Sequence, residues 1–387
     1  MKYYMHIGSL EYKGKSVYKS QINYISSGQD YFRRLVEKIS ETKTIFINSV
    51  IETDNPRAKP FNEGNYFVSF VSNSLLVRVL QTKWAIIKNY RKMPFQDKSN
   101  SEIVILLNQP LRPYLKAAFE IKKDFKKAQI ITFIPDLPEY SNLSRLPLFI
   151  NFLKKIDNSI IYRQLKKIDA YVLFAEAMAK ILPKHPYTTI ETISEAVLYV
   201  KDSQVSSNKK VILYTGSLHS KFSVFDFAFS LLPLMDDNVV FIVAGKGDDC
   251  ERLSSMPKNK VIALGYLSPE EVIEYQKAAD VVVNPRLPDS GLYTNYSFPS
   301  KITEYLSNCG IVACHKLGGV PNEYDSVLFY PEEATSLSLA KLCIKLCYLS
   351  NADRENARAN SSRLLSLKTA EYAVKKLYDL EDLLNNR

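Results

Sequence analysis

Apolar runs of five or six residues alternate with stretches of helical periodicity along the whole chain. This alternation restricts the fold more than any other feature of the sequence. Each short run followed by an amphipathic stretch describes a strand feeding a helix that returns over the sheet, the pattern of doubly wound α/β domains. In the first half, strands are expected at Tyr3–Ile7, Thr44–Ser49, Ile103–Leu107, Ile130–Ile134, Ala170–Phe174 and Thr188–Ile193. Helices fall between them, near 16–39, 73–92, 112–127, 146–167 and 175–182. In the second half, strands are expected at Lys210–Thr215, Val240–Ala244, Val261–Leu264 and Ala279–Asn284, and residues 334–350 and 352–387 read as helices.

A chain of 387 residues exceeds one ordinary core and suits two domains. Residues 197–208 turn polar and Ser-rich and read as the linker, leaving 1–196 before it and a second domain from 209. Residues 1–196 carry 30 Lys and Arg against 18 Asp and Glu, a net of +12, whereas the remainder carries 21 against 23. A basic half beside a near-neutral one suggests different partners for each. No run of 18 apolar residues occurs, and the first residues lack a secretory core, so a cytoplasmic protein is expected. The five cysteines all follow residue 249 and form no CxxC pair. Cys343 and Cys347 share a face of a Leu-rich helix and read as core; a metal site with Cys314 and His315 has the wrong ligand spacing, and no metal is expected. The four histidines have no triad spacing.

The stretch with most chemistry is Ser297-Phe298-Pro299-Ser300-Lys301-Ile302-Thr303-Glu304-Tyr305-Leu306, closed by Cys309-Gly310. It reads as a loop entering a short helix, with Pro299 suited to the first helical position. The amides of Ser300 and Lys301 then point out of the helix N-terminus, where anions bind, and the Lys301 ammonium adds a full charge. Glu304, one turn further on, suits two vicinal hydroxyls rather than phosphate. Phosphate at the helix tip and ribose at the first turn together describe a nucleotide.

These residues, with Asn284-Pro285-Arg286 before them and Gly310-Ile311-Val312 after, resemble the donor-binding motif of retaining GT-B glycosyltransferases of family GT4 (glycosyltransferase group 1), in its "FPSK..EY" branch. The resemblance implies a GT-B fold, two Rossmann-like domains facing a cleft, with the acceptor on the N-terminal domain and a nucleotide-sugar donor on 209–365. It also implies that the last helix, within 366–387, crosses back to the first domain. In the family the Glu at position 304 binds the ribose, and the preceding amides bind the diphosphate.

Other positions follow the family with departures. Gly216-Ser217-Leu218 closes a strand where the family has an Arg and a Lys; Ser217 replaces the Arg, Lys221 supplies the remaining cation, and Arg286 is a candidate for the lost charge. Gly245-x-Gly247 resembles the family's GxG, which on its own marks a tight turn. Tyr266 and Leu267, after a strand end, suit a nucleobase. Tyr296 occupies the place of a Glu that touches the donor sugar. In the first domain, Gly8 and Gly14 lie where the family has a glycine-rich acceptor-side loop, but a plain strand–helix turn suits them equally. Ile134-Pro135-Asp136-Leu137-Pro138-Glu139 resembles the family's His-Asp cleft stretch with Pro135 in place of the His. Asp136 is thus either the cleft carboxylate or an Asx-type turn.

The reading is a retaining, metal-independent hexosyltransferase, with Asp136, Lys221 and Lys301 as catalytic candidates. It would move a sugar to a glycan or lipid-linked acceptor in bacterial capsule, exopolysaccharide or O-antigen synthesis. No cofactor and no nucleic-acid partner are expected. The alternatives are a non-catalytic GT-B partner subunit and a nucleotide-sugar epimerase. An anionic membrane surface is a further expected partner, because Leu75, Leu76, Val79, Leu80, Ile86, Ile87 and Tyr90 share one face of the helix near 74–92, with Trp84 at its boundary. The same face would serve equally to pack that helix into the domain.

Overall fold

The computed structural model describes residues 1–10, 27–55, 57–140, 148–194, 209–288 and 291–386. The linker assigned to 197–208 and the loop residue Gly14 lie outside them. The chain forms two compact units, one of residues 1–193 and 370–387, the other of 194–369.

The first unit contains β1 (Lys2–Gly8), α1 (Ser27–Ser40), β2 (Ile45–Thr53), β3 (Phe61–Glu63), β4 (Tyr66–Ser72) and α2 (Leu75–Tyr90). It continues through β5 (Glu102–Leu107), α3 (Arg112–Lys122), β6 (Lys127–Ile134), α4 (Leu148–Leu165), β7 (Ala170–Leu173) and β8 (Tyr187–Thr189). The strands order as β3-β4-β2-β1-β5-β6-β7-β8, all parallel except β3. Strand side chains alternate between faces, so Val104 and Leu106, Ile131 and Phe133, and Ala170 and Val172 join one apolar cluster with α1. Both faces are covered, and the strands are therefore almost wholly apolar. The β3–β4 hairpin was not anticipated, although Gly64-Asn65 at its turn, with Gly64 at φ +55°, is a hairpin signal. The helix expected near 175–182 is a single 3-10 turn at Glu176–Lys180.

The second unit contains β9 (Lys210–Thr215), α5 (Val224–Leu231), β10 (Val239–Ala244), α6 (Cys250–Ser254), β11 (Val261–Gly265), α7 (Pro269–Ala278) and β12 (Val281–Asn284). It ends with α8 (Lys301–Asn308), β13 (Val312–Cys314), β14 (Leu328–Phe329), α9 (Ser336–Cys347) and α10 (Asn351–Ser366). Cys343 and Cys347 are buried in its core, as their spacing suggested, and burial pushes the Cys347 thiol up to about 12. The strand order β11-β10-β9-β12-β13-β14 is wholly parallel and reverses direction at β9/β12. The long helix read over 352–387 is two helices, α10 and α11 (Ala370–Asn385). Through Ala373, Val374, Leu377 and Leu380, α11 packs into the core of the first unit. There the buried Glu381 accepts from Lys2 Nζ at 2.6 Å and Tyr4 OH at 2.8 Å.

Candidate functional site

In an open parallel sheet, ligands collect beyond the strands' carboxyl ends where the strand order reverses. In the second unit that point lies between the exits of β9 and β12, which deliver Gly216 and Arg286 respectively. Gly216 and Gly245 touch backbone to backbone: a Cβ on Gly245 would stand 1.7 Å from Gly216 O. Both glycines have positive φ, +154° and +152°. Their amides serve the scaffold, Gly216 N donating to Ala244 O at 2.9 Å and Gly245 N to Gly265 O at 2.7 Å. These glycines therefore supply room rather than phosphate donors. Ser217 brings no charge, and its carbonyl accepts from Tyr214 OH at 2.7 Å.

Two cations meet on one pair of rings beside this point. Lys221 Nζ lies 5.1 Å from the Phe222 ring and 5.4 Å from the Tyr293 ring. The Arg286 guanidinium lies 4.8 and 5.4 Å from the same rings. Tyr293 OH donates to Lys221 O at 3.1 Å, which fixes the ring against the loop. Neither ring was singled out from sequence, since nothing local to residue 222 or 293 shows that they converge. Lys246 Nζ covers the exposed Tyr266 ring at 4.7 Å, and Leu267 beside it is half-buried.

The motif helix α8 begins two residues later than its sequence suggested. Pro299 precedes the helix, Ser300 is its cap with helical φ and ψ, and the bond from Ile302 N to Pro299 O (2.9 Å) closes a tight first turn. Lys301 and Glu304, assigned to different ligand groups by sequence, pair with each other: Lys301 Nζ lies 2.9 and 3.0 Å from the two Glu304 oxygens. Gln276 explains why the carboxylate is held there. It is fully buried on α7, and its amide nitrogen donates to Glu304 Oε1 at 2.6 Å and Thr215 Oγ1 at 2.9 Å. Tyr305, also fully buried, donates to Thr215 O at 2.7 Å and accepts from Thr215 N at 3.0 Å. Glu304 is thereby tied to the end of β9, next to Gly216. Half-buried Tyr296 lies in the loop before α8. That loop is backed by Gly319, whose N–H donates to Thr294 O at 2.9 Å and whose Cβ would stand 2.2 Å from Ser297 O.

The first unit has its own reversal point, between β1 and β5. Gly8 stands there against Asn108, whose Cγ would be 2.1 Å from a Cβ at position 8. Half-buried Asp136 follows β6, one strand further along the same edge. Of the α2 face expected to meet a membrane, Ile86, Ile87 and Tyr90 are buried and Val79 is half-buried, while the side chains of Leu75 and Leu76 lie outside those described; Asn89 Nδ2 donates to Phe67 O at 3.2 Å and Ser69 Oγ at 3.0 Å. Leu80 and Trp84 remain exposed, with Lys88 Nζ 4.5 Å from the Trp84 ring.

Two parallel sheets with these reversal points and site residues define the GT-B fold, and solved structures share it. Sucrose-phosphate synthase from Thermosynechococcus elongatus superposes with a TM-score of 0.71 at 13% identity, covering 99% of both chains. Trehalose 6-phosphate synthase from Burkholderia multivorans gives 0.65 at 12% identity, covering 100% of both. Anabaena HepE, solved in complex with UDP and glucose, gives 0.63 at 12% identity over 97% of this chain and 99% of that one. Residues 209–347, within the second unit, match the family described as "Glycosyl transferases group 1". No curated protein sequence matches the chain.

Proposed function

We propose that this protein transfers a sugar from a nucleoside-diphosphate sugar, held by the second unit, to a glycan or lipid-linked acceptor. The observation that carries this is Glu304, fastened through Gln276 and Tyr305 to the end of β9 at the sheet's reversal point. A carboxylate there suits the ribose hydroxyls. Lys221, Arg286 and Lys301 suit the diphosphate, whose charge grows as the sugar bond breaks. Cations fixed before the reaction stabilise such a leaving group without reorganising. On donor binding Lys301 would exchange part of its contact with Glu304 for phosphate oxygen. Asp136 is assigned to the acceptor.

The family match on 209–347 and the HepE structure with UDP and glucose support a nucleotide-sugar donor. We assign retention of configuration, independence from metal, the "FPSK..EY" branch of GT4, and a role in bacterial capsule, exopolysaccharide or O-antigen synthesis on the motif resemblance. Incubation with a panel of nucleotide sugars, with and without chelator, tests the assignment. Release of free nucleotide, insensitive to chelator, is the expected result. Isomerised sugar would mark an epimerase, and binding without turnover a non-catalytic partner subunit.

A further inference from the structure

Helix α4 presents an apolar surface to which none of the candidate site residues belongs. Its second half is anchored in the first unit by buried Ile161 and Leu165. Its first half exposes Phe149 (70%), Phe152 (60%), Leu153 (45%) and Ile156 (44%). The place of this half follows from one contact. Arg112, the first residue of α3, lies just past the exit of β5, and its guanidinium meets Asp157 at 3.0 Å. Asp157 is therefore level with the carboxyl edge of the sheet. A helix rises about 1.5 Å per residue, so residues 149–156 run about 12 Å beyond that level. Single exposed apolar residues are ordinary; four within eight residues on a projecting helix mark an interaction surface.

The charges around it are positive. Lys155 and Lys116 are exposed, and half-buried Lys154 lies in the same turns as the aromatic residues. Of the nearby acids, Asp157 pairs with Arg112 and Glu120 with Lys83 at 2.7 Å, whereas Glu139 accepts from Tyr162 OH at 3.0 Å and keeps its charge, so the three lysines leave the patch net positive. Aromatic rings beside lysines suit the boundary between acyl chains and anionic headgroups. A symmetric second copy fits worse, since it would set the lysine pairs against each other. We propose that the projecting turns of α4, through Phe149, Phe152, Leu153 and Ile156 with Lys154 and Lys155, dock this protein on an anionic lipid bilayer.

The test is sedimentation of the full chain with phosphatidylcholine vesicles, with and without phosphatidylglycerol. The wild type is expected to bind only the anionic vesicles and to release at high salt, as the Debye length falls from about 10 Å at 0.1 M to about 3 Å at 1 M. Phe149→Ser with Phe152→Ser should lower binding more than about tenfold through lost apolar burial. Lys154→Gln with Lys155→Gln should lower it about five- to 30-fold. Phe149, Phe152 and Lys155 are exposed and Lys154 is half-buried, and none belongs to the donor site, so both variants should melt close to the wild type and bind nucleotide normally. Absence of wild-type binding at low salt, or undiminished binding by the phenylalanine variant, would overturn the proposal. So would a wild-type dimer in light scattering that the phenylalanine variant loses, since a second copy would then cover the face.

Discussion

Tyr305→Phe isolates the link between the motif helix and the sheet. The change removes one oxygen from a fully buried side chain and leaves its shape otherwise intact. That oxygen donates to Thr215 O and accepts from Thr215 N, at 2.7 and 3.0 Å, and Thr215 is itself 1% exposed. Each buried polar group left without its partner costs about 1–3 kcal/mol, so losing this pair of bonds should cost about 2–4 kcal/mol. For a unit of this size that corresponds to about 4–16 °C in melting temperature. The transition to follow is the one that added nucleotide raises, because ligand binding stabilises the unit that holds it. Thr303→Val is the control: Thr303 Oγ1 is buried with no hydrogen-bond partner among the described residues, so its loss should be neutral or slightly stabilising. The same Tyr305→Phe variant should bind nucleotide more weakly, since the end of β9 loses its tether to α8. An unchanged transition in Tyr305→Phe, or a drop as large in Thr303→Val, would refute the reasoning.

Glu304→Gln should weaken nucleotide binding by about 1.5–3 kcal/mol in calorimetry, the range for a hydrogen bond to a charged group; unaltered affinity would remove the ribose assignment. Asp136→Asn should lower kcat by about 10²–10⁴-fold with donor affinity unchanged if the carboxylate acts as a base; wild-type turnover would make it a turn residue. Gly245→Ala should impair both stability and nucleotide binding, because its Cβ would meet Gly216 O at 1.7 Å and backbone cannot yield as a side chain does. Stability should fall on acidification below neutrality: burial holds His6 at about 3 and His315 at about 4, so the unfolded chain takes up protons below about 6.5 that the folded one refuses. For His6 the loss at pH 5 is about 2 kcal/mol, and His6→Leu should flatten the denaturation-midpoint profile between pH 7 and 5.

The fold class was legible because it rests on periodicity. Parallel strands buried on both faces must be apolar runs, as in Ile103–Leu107 and Ala170–Phe174, and the helices between them must be amphipathic. The motif around Pro299, Lys301 and Glu304 was legible for a similar reason, since spacing within one turn sets which residues share a face. What sequence did not reveal was every partner distant along the chain. Gln276 binds Glu304 across 28 residues, Tyr305 binds Thr215 across 90, and Lys221 and Arg286 meet on rings at 222 and 293. Local pattern holds no record of such encounters, because strand order, not sequence distance, determines which loop ends become neighbours. The two apolar helix faces make the same point. The periodicity in α2 and the apolar start of α4 are alike in sequence, yet one lies against the sheet and the other projects past its edge, where only the packed structure leaves it exposed.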